Sequence, residues 1–462
     1  MKHYDAIVIG SGQGGTPLAK KLARKNLKTA IIERRFIGGT CINDGCTPTK
    51  TMVASARLMH LIGKSEALGV TTNGASLNFK KVMDRKNKIV KDFRQGAEDG
   101  LRKTKNLDIF FGEAVFMKNK ELKIFLNDEA EENITADKIF INAGCRPAIP
   151  EIEGLDSVPY LDSTSIMELD ELPEHLIIIG AGYVSLEFGQ MFRRFGSKVT
   201  ILEHSEQFLS REDDDVSAAI KNFLEEEGIE IFTNCFVKKV SSNNKTISVH
   251  TVIDNKEKLL AGSHLLTAIG RTPNTDTLQL SNTNIQKEER GHIVVNEKLE
   301  TNVDGIYALG DIKGGPEFTH ISYNDYLIVY KNLFENGNET ITNRLVPYCM
   351  FTDPQLGRVG LSEQEAIKKN LNFITAKLPM KHVARALETS ETTGFMKAIV
   401  DADSKKILGA AVIGEQGGEL MSMLELSMMG NLTYDVLRNA VFAHPLYAES
   451  LNNLFMQLDK GK

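Results

Sequence analysis

The chain has 462 residues, of which 42% are hydrophobic and 25% are charged, and its formal net charge is −6. This length exceeds what one hydrophobic core usually fills, so two to four domains are expected. The acidic balance without a long basic stretch argues against nucleic acid as a partner, and no apolar run is long enough to span a membrane.

The cysteines and the first residues predict a cytoplasmic location. Five cysteines without a framework pattern are typical of a reducing compartment. The chain starts Met1-Lys2-His3-Tyr4-Asp5 and is expected to enter a strand directly, without a signal peptide. A disulfide in this setting is more typical of catalysis than of structure.

The first motif, within residues 4–34, is a complete dinucleotide-binding βαβ unit. Its glycines permit a tight turn and close approach to a pyrophosphate, the helix N-terminus holds phosphates, and the acid accepts ribose hydroxyls. Its parts in chain order are a strand at 6–9, Gly10, Gly12, Gly15, an amphipathic helix, a strand at 29–32 and Glu33.

Two closely spaced cysteines follow. Cys41 and Cys46 lie between glycines in GGTCINDGCTPTK, and four residues separate them. This spacing suits a disulfide across the first turn of a helix, and a helix N-terminus favours a thiolate. The segment can therefore alternate between a disulfide and a reactive dithiol. Zinc would need a second close pair, so no metal site is predicted.

The middle of the chain contains a second βαβ unit. Before it, residues 77–105 are expected to form a pair of charged helices and residues 107–138 short strands. The second unit places its acid at the same distance from the first glycine as the first unit does, so we expect two dinucleotide sites. Its parts are a strand at 175–179, Gly180, Gly182, Ser185, a strand at 198–202 and Glu203.

The last third of the chain has a different pattern of predicted strands and helices. Residues 301–311 are predicted as a strand that ends in Gly310-Asp311. After Pro347, alternating strands and helices indicate an α+β module of about a hundred residues, a common domain size. We expect strands at 378–380, 394–400 and 407–414, and helices at 418–429 and 433–440.

With these motifs in order, the chain resembles the class I pyridine nucleotide–disulfide oxidoreductases. The resemblance covers essentially the whole chain and rests on GSGQGG, GGTCINDGCTPTK, Asn142-Ala143-Gly144, GAGYVSLE, AIGRTPN at 268–274, ALGD at 308–311 and AHPLYAE at 443–449. It implies an α/β fold with two Rossmann-like domains, for FAD and for NAD, and a C-terminal α+β dimerisation domain. The implied bounds are 1–150 and 272–345 for the FAD-binding and central parts, 151–271 for the NAD(P)-binding domain and 346–462 for the dimerisation domain.

The resemblance also implies cofactor roles. The first βαβ unit and Asp311 would bind FAD, and the second unit would bind the nicotinamide nucleotide. An acid at Glu203 would repel a 2′-phosphate, so NADH is expected rather than NADPH. Tyr183 matches a tyrosine that covers the flavin until the nicotinamide enters. The implied cofactor-binding residues are Gly10, Gly12, Gly15, Glu33, Thr40, Gly144, Gly180, Gly182, Tyr183, Glu203, Gly270, Gly310 and Asp311.

The implied reaction passes hydride from NAD(P)H through FAD to a cysteine pair. Cys46 would receive the electrons, and Cys41 would then meet a disulfide or a small oxidant. In the family, the proton partner is a histidine–carboxylate pair from the other subunit of a homodimer. The implied catalytic residues are Cys41, Cys46, Lys50, Glu187, His444 and Glu449.

Several substrates are weighed. Mercuric reduction is disfavoured because His444 is retained and the chain carries no C-terminal cysteine pair. Dihydrolipoamide dehydrogenase fits the NADH preference but not Thr47 and Thr49, and glutathione is disfavoured by Pro17. The run at 437–455 is similar to bacterial flavoproteins that reduce hypothiocyanous acid, which favours that branch. An NADH oxidase or quinone reductase without a substrate disulfide, and a non-catalytic component of a multienzyme complex, are the alternatives from other classes.

Four further expectations concern residues outside these motifs or within them. Asn142 stands where the family has threonine, and this is expected to matter little. Asp44 either raises the thiol pKa values or points into solvent. Cys145, Cys235 and Cys349 are interpreted as packing residues. The acidic run at 213–215 is interpreted as solvated.

Overall fold

The computed structural model describes residues 1–243 and 246–459. The strands are β1 (Lys2–Ile9), β2 (Thr29–Glu33), β3 (Leu107–Lys118), β4 (Glu121–Leu126), β5 (Glu131–Ile141), β6 (Cys145–Pro147), β7 (Tyr160–Leu161), β8 (His175–Ile179), β9 (Lys198–Leu202), β10 (Glu230–Phe232), β11 (Cys235–Asn243), β12 (Thr246–Ile253), β13 (Lys256–Gly262), β14 (His264–Thr267), β15 (Arg271–Pro273), β16 (Ile306–Ala308), β17 (Tyr348–Met350), β18 (Gln355–Gly360), β19 (Phe373–Pro379), β20 (Phe395–Asp401) and β21 (Ile407–Gly414).

The α-helices alternate with these strands. They are α1 (Gly15–Arg24), α2 (Gly39–Asn43), α3 (Cys46–Lys64), α4 (Phe79–Arg102), α5 (Tyr183–Phe195), α6 (Asp214–Glu226), α7 (Thr319–Phe334), α8 (Glu363–Lys368), α9 (Ala384–Thr389), α10 (Gly417–Met429), α11 (Tyr434–Arg438) and α12 (Ser450–Met456). The expected helix pair at 77–105 is wrong, because this segment forms the single helix α4. Asn78 caps α4 by accepting from the Lys81 amide at 3.0 Å, and the segment contains no proline that would end the helix.

The first sheet holds the first βαβ unit. β1 pairs in parallel with β2 and β5, and β5 pairs in parallel with β16. β3 begins parallel to β2 and then turns into an antiparallel meander with β4 and β5. The apolar run of β1 is buried, as expected for a parallel strand covered on both faces. The strand predicted at 301–311 is shorter in the structure, where it is β16. A short 3₁₀ turn at Gly310–Lys313 follows β16.

The second sheet holds the second βαβ unit and is parallel throughout. Its order is β10-β9-β8-β14-β7, and an antiparallel sheet of β11, β12 and β13 lies beside it. The two strands predicted for this unit, β8 and β9, have the bounds that the sequence predicts. Both units therefore present the carboxyl ends of parallel strands to a glycine-rich turn, which is where α/β folds bind ligands.

The last sheet is antiparallel, in the order β17-β18-β21-β20-β19. β17 and β18 were not predicted, because β17 has only three residues and β18 contains two glycines, which are depleted in strands. α10 packs on this sheet through Leu420, Met421 and Leu424, and it exposes Met423, Leu426 and Met429 on its other side. An α/β fold with a C-terminal α+β part is thus confirmed. The domain bounds stay a prediction, and the last three residues of the 346–462 domain lie outside the described residues.

Within residues 1–243 and 246–459, the structure contains no helix that is both long and apolar enough to cross a bilayer.

The interpretation of the acidic run at 213–215 is wrong. Asp213 is 3% exposed and accepts hydrogen bonds from the amides of Glu363 and Gln364, both at 3.1 Å. Lys397, also buried, lies 3.1 Å from Asp213 and 3.0 Å from Asp215. The run therefore ties α6 to the last sheet, because a buried lysine needs carboxylate partners.

Candidate active site

One cavity of about 2660 Å³ joins both glycine-rich turns and the cysteine pair. Ligand pockets usually measure about 300–1,000 Å³, so this cavity has room for more than one small molecule. Glu33 and Glu203, the acids of the two units, both line it, and so does Thr40.

The first glycine-rich turn packs closely against the chain. Gly10 has φ +98°, and a Cβ there would lie 2.3 Å from the carbonyl oxygen of Asn142. A Cβ on Gly15 would lie 2.1 Å from the Gly10 carbonyl oxygen. Glu33 accepts from the Ser11 amide at 3.0 Å and from the Ser11 hydroxyl at 2.7 Å. These contacts require glycine at both positions and hold the acid at the end of β2.

The second turn repeats this geometry with fewer contacts. Gly180 has φ +96°, and a Cβ there would lie 2.6 Å from the Ala268 carbonyl oxygen. Glu203 accepts from the amides of Ala181 at 2.7 Å and Ser205 at 2.8 Å. Ser185 occupies the third position and is fully buried. The acid again stands beside the turn, as in the first unit.

Three further glycines leave space where a ligand would fit. Gly144, Gly182 and Gly270 all line the cavity, and a Cβ on any of them would meet no protein atom within 4 Å. Bare backbone at a cavity wall lets an extended phosphate-bearing molecule approach closely. The residues present therefore fit two dinucleotides, one at each unit.

Asp311 lies at the cavity wall beyond the first turn. Its carboxylate pairs with the Arg271 guanidinium at 2.5 Å, and Gly310, with φ +70°, donates its amide to Asp325 at 2.8 Å. The Asp325 carboxylate is buried and also bound by Arg344. The turn that presents Asp311 is thus fixed by buried charge pairs.

The Asn142 side chain makes hydrogen bonds to distant segments. Its side chain accepts from the Gly15 amide at 2.8 Å, and it donates to the Leu309 carbonyl at 2.8 Å and to the Ser322 hydroxyl at 3.2 Å. The amide thus joins α1, β5 and the segment after β16, and the expectation that asparagine in place of threonine matters little stays a prediction. A single sequence carries no signal of such a contact.

The cysteine pair is brought together as a dithiol. Cys41 lies in α2, Cys46 begins α3, and both are free thiols that hydrogen-bond each other. The bond from Cys41, with help from Thr319 and Lys50, lowers the pKa of Cys46 to about 6, whereas the same bond raises the pKa of Cys41. The helix N-terminus adds to the stabilisation of a Cys46 thiolate.

Lys50 and Glu187 form an ion pair at 2.6 Å near the cysteines. Glu187 also accepts from the Phe351 amide at 2.8 Å, and the Lys50 ammonium lies 4.7 Å from the Phe351 ring centroid. Lys50 is one turn along α3 from Cys46, so the helix aims both side chains at one part of the cavity. Thr319, whose hydroxyl lies 3.4 Å from the Cys46 sulfur, was not predicted.

Asp44, between the two cysteines, is paired with Arg35 at 3.0 Å. Its charge is therefore compensated locally. The main causes of the pKa shifts of the two thiols are the bond between them, burial, Thr319 and Lys50, and Asp44 is not among them. Asp44 does not point into solvent either, because its side chain is only 16% exposed.

Tyr183 stands at the start of α5 and is held by a buried carboxylate. Its hydroxyl donates to Glu212, and so does the hydroxyl of Tyr348, at 2.5 Å. The two rings lie 5.5 Å apart, and Glu212 is fully buried. Burial, followed by the charge of Glu212, raises the pKa of Tyr183, so the phenol stays protonated. Sequence reasoning missed Glu212 and Tyr348, which lie on separate segments without a motif.

His444 and Glu449 pair with each other but not with the cysteines of the same chain. The His444 Nδ1 lies 2.9 Å from Glu449, and the histidine side chain is 69% exposed. Neither residue is among the described residues that line the cavity. The pair is therefore formed and presented outward.

Cys145 and Cys235 are buried, and Cys349 is half-buried. Burial raises the pKa of Cys145 and of Cys349 to about 12. These thiols stay protonated at neutral pH and are unreactive as they stand.

Comparisons with known proteins agree with this geometry. Residues 4–325 match the family model described as "Pyridine nucleotide-disulphide oxidoreductase", and residues 346–455 match its dimerisation domain. The chain is 38% identical over 459 residues to the probable pyridine nucleotide-disulfide oxidoreductase RclA of Escherichia coli (strain K12), which covers 98% of this chain and 99% of that one. It is 34% identical to a mercuric reductase of Staphylococcus aureus, which covers 99% of this chain and 83% of the relative.

A solved structure is also similar. The Cu(II) complex of the HOCl-induced flavoprotein disulfide reductase RclA from Escherichia coli has a TM-score of 0.91, with 37% identity and 99% of each chain covered. Two dinucleotide-binding units, a paired dithiol and full-length similarity thus lead to one conclusion. The chain belongs to the pyridine nucleotide–disulfide oxidoreductases, FAD-dependent enzymes that use pyridine nucleotides.

Proposed function

We propose that this enzyme uses NADH to reduce a small thiol-reactive oxidant through Cys41 and Cys46. The observation that carries the proposal is the hydrogen-bonded thiol pair at the start of α3, inside the cavity that both nucleotide units line. FAD, when bound, supplies the two-electron relay between the nicotinamide and the disulfide. The protein's own residues then set the order of the thiol steps.

The pKa difference within the pair assigns different roles to the two sulfurs. Cys46, with its pKa near 6, is the thiolate at neutral pH, and Lys50 keeps positive charge beside it. Cys41 holds its proton and needs a base before it attacks. After the base has taken its proton, the Cys41 thiolate attacks the electrophilic sulfur of the oxidant. In hypothiocyanous acid the S–O bond breaks at this step, and the hydroxide leaves as water with the proton that the base returns. The Cys46 thiolate attacks the Cys41 sulfur, which forms the disulfide and releases the reduced substrate as an anion or thiol.

We propose that this base comes from a second copy of the chain. Glu449 accepts from Nδ1 of His444, which leaves Nε2 free to take and return a proton. Because His444 is exposed and lies outside the cavity of its own chain, His444 of the partner subunit is the group that would serve Cys41. The exposed apolar side of α10, within the matched dimerisation domain, supports a homodimer.

Two observations support a small oxidant as the substrate. The similar protein RclA is described as an HOCl-induced flavoprotein disulfide reductase, and the similarity covers both chains fully. Asp44 is neutralised by Arg35, so the entrance beside Cys41 does not select strongly for a cationic substrate. Hypothiocyanous acid is a small thiol-reactive oxidant of the class that such a site would accept.

NADH is proposed as the reductant because Glu203 ends the second strand of the second βαβ unit, and an acid at this point of such a unit accepts ribose hydroxyls and would repel a 2′-phosphate. A cytoplasmic location is proposed from the five cysteines, which show no disulfide framework.

Cys41→Ser and Cys46→Ser test the proposed route. Either change is expected to remove nearly all NADH-dependent reduction of hypothiocyanous acid, while NADH still bleaches the yellow holoenzyme. Cys235→Ser, a buried cysteine on β11, is the matched control and should keep full activity. An enzyme that keeps its turnover after Cys41→Ser would instead be a flavin-only oxidase or quinone reductase.

A steady-state screen tests the substrate class. It compares NADH consumption with hypothiocyanous acid, lipoamide, oxidised glutathione, mercuric ion, a quinone and oxygen. We expect hypothiocyanous acid to lead by about 100-fold in kcat/KM, or about 2.7 kcal/mol in the transition state. An equal or larger value for lipoamide would assign the enzyme to the dehydrogenase branch.

A further inference from the structure

We propose that Cys145, His292 and Glu317 form a binding site for a divalent transition metal ion of the zinc class. The three residues come from separate segments that meet beside Asp311. Cys145 begins β6, His292 lies in the loop before β16, and Glu317 precedes α7. The site is distinct from the Cys41 and Cys46 pair.

The ligand atoms already lie close together. One sulfur, one imidazole nitrogen and one carboxylate oxygen all fall within 4.8 Å of one another. With zinc–ligand bonds of about 2.0–2.3 Å, neighbouring ligands around a tetrahedral ion stand roughly 3.5 Å apart. A closure of this size is within reach of the glutamate side chain, whose χ angles can change while the backbone stays in place.

A second, independent feature points to a missing ligand. Among the described residues, the Nε2 of His292 is buried and has no hydrogen-bond partner. Buried polar atoms are nearly always satisfied in folded proteins, so an orphaned imidazole nitrogen requires an explanation. A metal ion provides one, because a neutral imidazole nitrogen is a zinc ligand.

The surrounding charges leave a place for a cation. The Arg271 guanidinium lies 2.5 Å from the Asp311 carboxylate but 3.7 Å from the Glu317 carboxylate, so Arg271 pairs mainly with Asp311. Among the described residues, the Cys145 thiol has one hydrogen-bond partner, the Asp311 carbonyl oxygen at 3.4 Å. A divalent ion bound by one thiolate and one carboxylate would be neutral, and the thiol proton would leave on binding.

The mixture of ligand atoms selects the kind of metal. Magnesium and calcium prefer oxygen ligands throughout, whereas sulfur, nitrogen and oxygen together suit zinc. Three protein ligands leave a fourth position for water, and the same residues line the large cavity, which supplies an entry path. A bound ion would fix the segment between Asp311 and Thr319, the residue whose hydroxyl contacts Cys46.

The test uses the flavin-loaded full chain with Cys41→Ser and Cys46→Ser, which removes the competing thiol pair. Titration with zinc chloride is expected to show one saturable site per chain by calorimetry. Cobalt(II) should give tetrahedral d–d bands and a thiolate-to-cobalt band in the difference spectrum against the metal-free protein. The cobalt spectrum needs no further variant, so it tests the site in a protein whose three ligands are intact.

Single changes then locate the ion. In the same background, Cys145→Ser, His292→Ala and Glu317→Gln are each expected to weaken zinc binding at least about 10-fold, the loss that even indirect metal contacts commonly cause. Cys145→Ser should also remove the thiolate-to-cobalt band. Cys235→Ser, which changes a buried cysteine elsewhere, should alter neither readout. The proposal is overturned if zinc shows no saturable binding, or if the cobalt spectrum carries no thiolate band.

Discussion

The two dinucleotide-binding units have the same backbone path, but their glycine-rich turns pack against different groups. In both, a parallel strand runs into a left-handed glycine, Gly10 or Gly180, whose missing Cβ makes room for a carbonyl oxygen. The first unit is also bound by the Asn142 side chain, which accepts the Gly15 amide. In the second unit, the atoms nearest to a Cβ on Gly180 belong to the backbone of Ala268 and Ile269, and the third position is Ser185.

The acids differ in the same sense. Glu33 is 9% exposed and is held by both the amide and the hydroxyl of Ser11. Glu203 is only half-buried, and it is held by two backbone amides. The first unit is therefore built into its surroundings, as suits a cofactor that stays bound. The second stands open, as suits a nucleotide that enters and leaves during each turnover.

The largest effect is expected from Gly15→Ala. A Cβ at this position would lie 2.1 Å from the Gly10 carbonyl oxygen and 3.2 Å from the Asn142 side-chain oxygen. Backbone must move to relieve the clash, so we expect the purified protein to lack flavin and to be destabilised by more than about 3 kcal/mol. The flavin-to-protein absorbance ratio and a thermal melt measure this.

Gly63→Ala is the control for that change. Gly63 lies inside α3, and a Cβ there would meet no atom within 4 Å. It should keep its flavin and gain up to about 1 kcal/mol from the higher helix propensity of alanine. A flavin-loaded Gly15→Ala protein that melts like this control would contradict the close packing of the first unit.

Asn142→Ala should have the next largest effect. It leaves the Gly15 amide and the Leu309 carbonyl buried without their partner, at about 1–3 kcal/mol for each group. We expect a lower melting temperature and faster release of FAD in gel filtration, but a nicotinamide KM unchanged within about twofold.

Asn133→Ala, an exposed asparagine on β5, is the control and should match the parent protein. If Asn142→Ala raised the KM for NADH while it left FAD binding intact, the Asn142 side chain would support the second unit rather than the first. The difference in packing between the two units would then be refuted.

Much of this fold could be predicted because its buried strands are continuous apolar runs in the sequence. β8, β9 and β21 have the predicted bounds, since an apolar run between turn residues leaves few other choices. The sequence also singled out Cys41, Cys46, Lys50 and Glu187, and the structure brings each pair together. Their roles in catalysis stay a prediction.

What the sequence could not predict depends on contacts between distant segments. Asn142 reaches α1 and Leu309, and Asp213 reaches Lys397 on the last sheet. Glu212 accepts from two tyrosines that no local pattern joins to it. In each case a polar residue that is ordinary by its neighbours in sequence becomes buried, and burial then demands a partner that only the tertiary fold supplies.

Glu203→Ala is expected to have a moderate effect confined to the second unit. It removes the acceptor for ribose hydroxyls, so the KM for NADH should rise about 10-fold, or about 1.4 kcal/mol, and discrimination against NADPH should fall. FAD content should not change. Glu206→Ala, an exposed acid three residues on, is the control, and an unchanged KM for NADH after Glu203→Ala would remove the acid from the proposed site.

The smallest effect is expected from Ser185→Ala, the counterpart of the first change. Ser185 already carries a Cβ at the position that Gly15 holds in the first unit, and its hydroxyl makes only a long contact, 3.4 Å to the Ala268 carbonyl oxygen. Loss of this contact should cost less than about 0.5 kcal/mol in a thermal melt and leave both KM for NADH and FAD content as they are. Because alanine is the product of both changes, the pair separates residue type from available space. If Ser185→Ala were as damaging as Gly15→Ala, the chemistry of the side chain rather than the space around it would determine which residue each unit tolerates at the third position. The two units would then not differ in how closely they are packed.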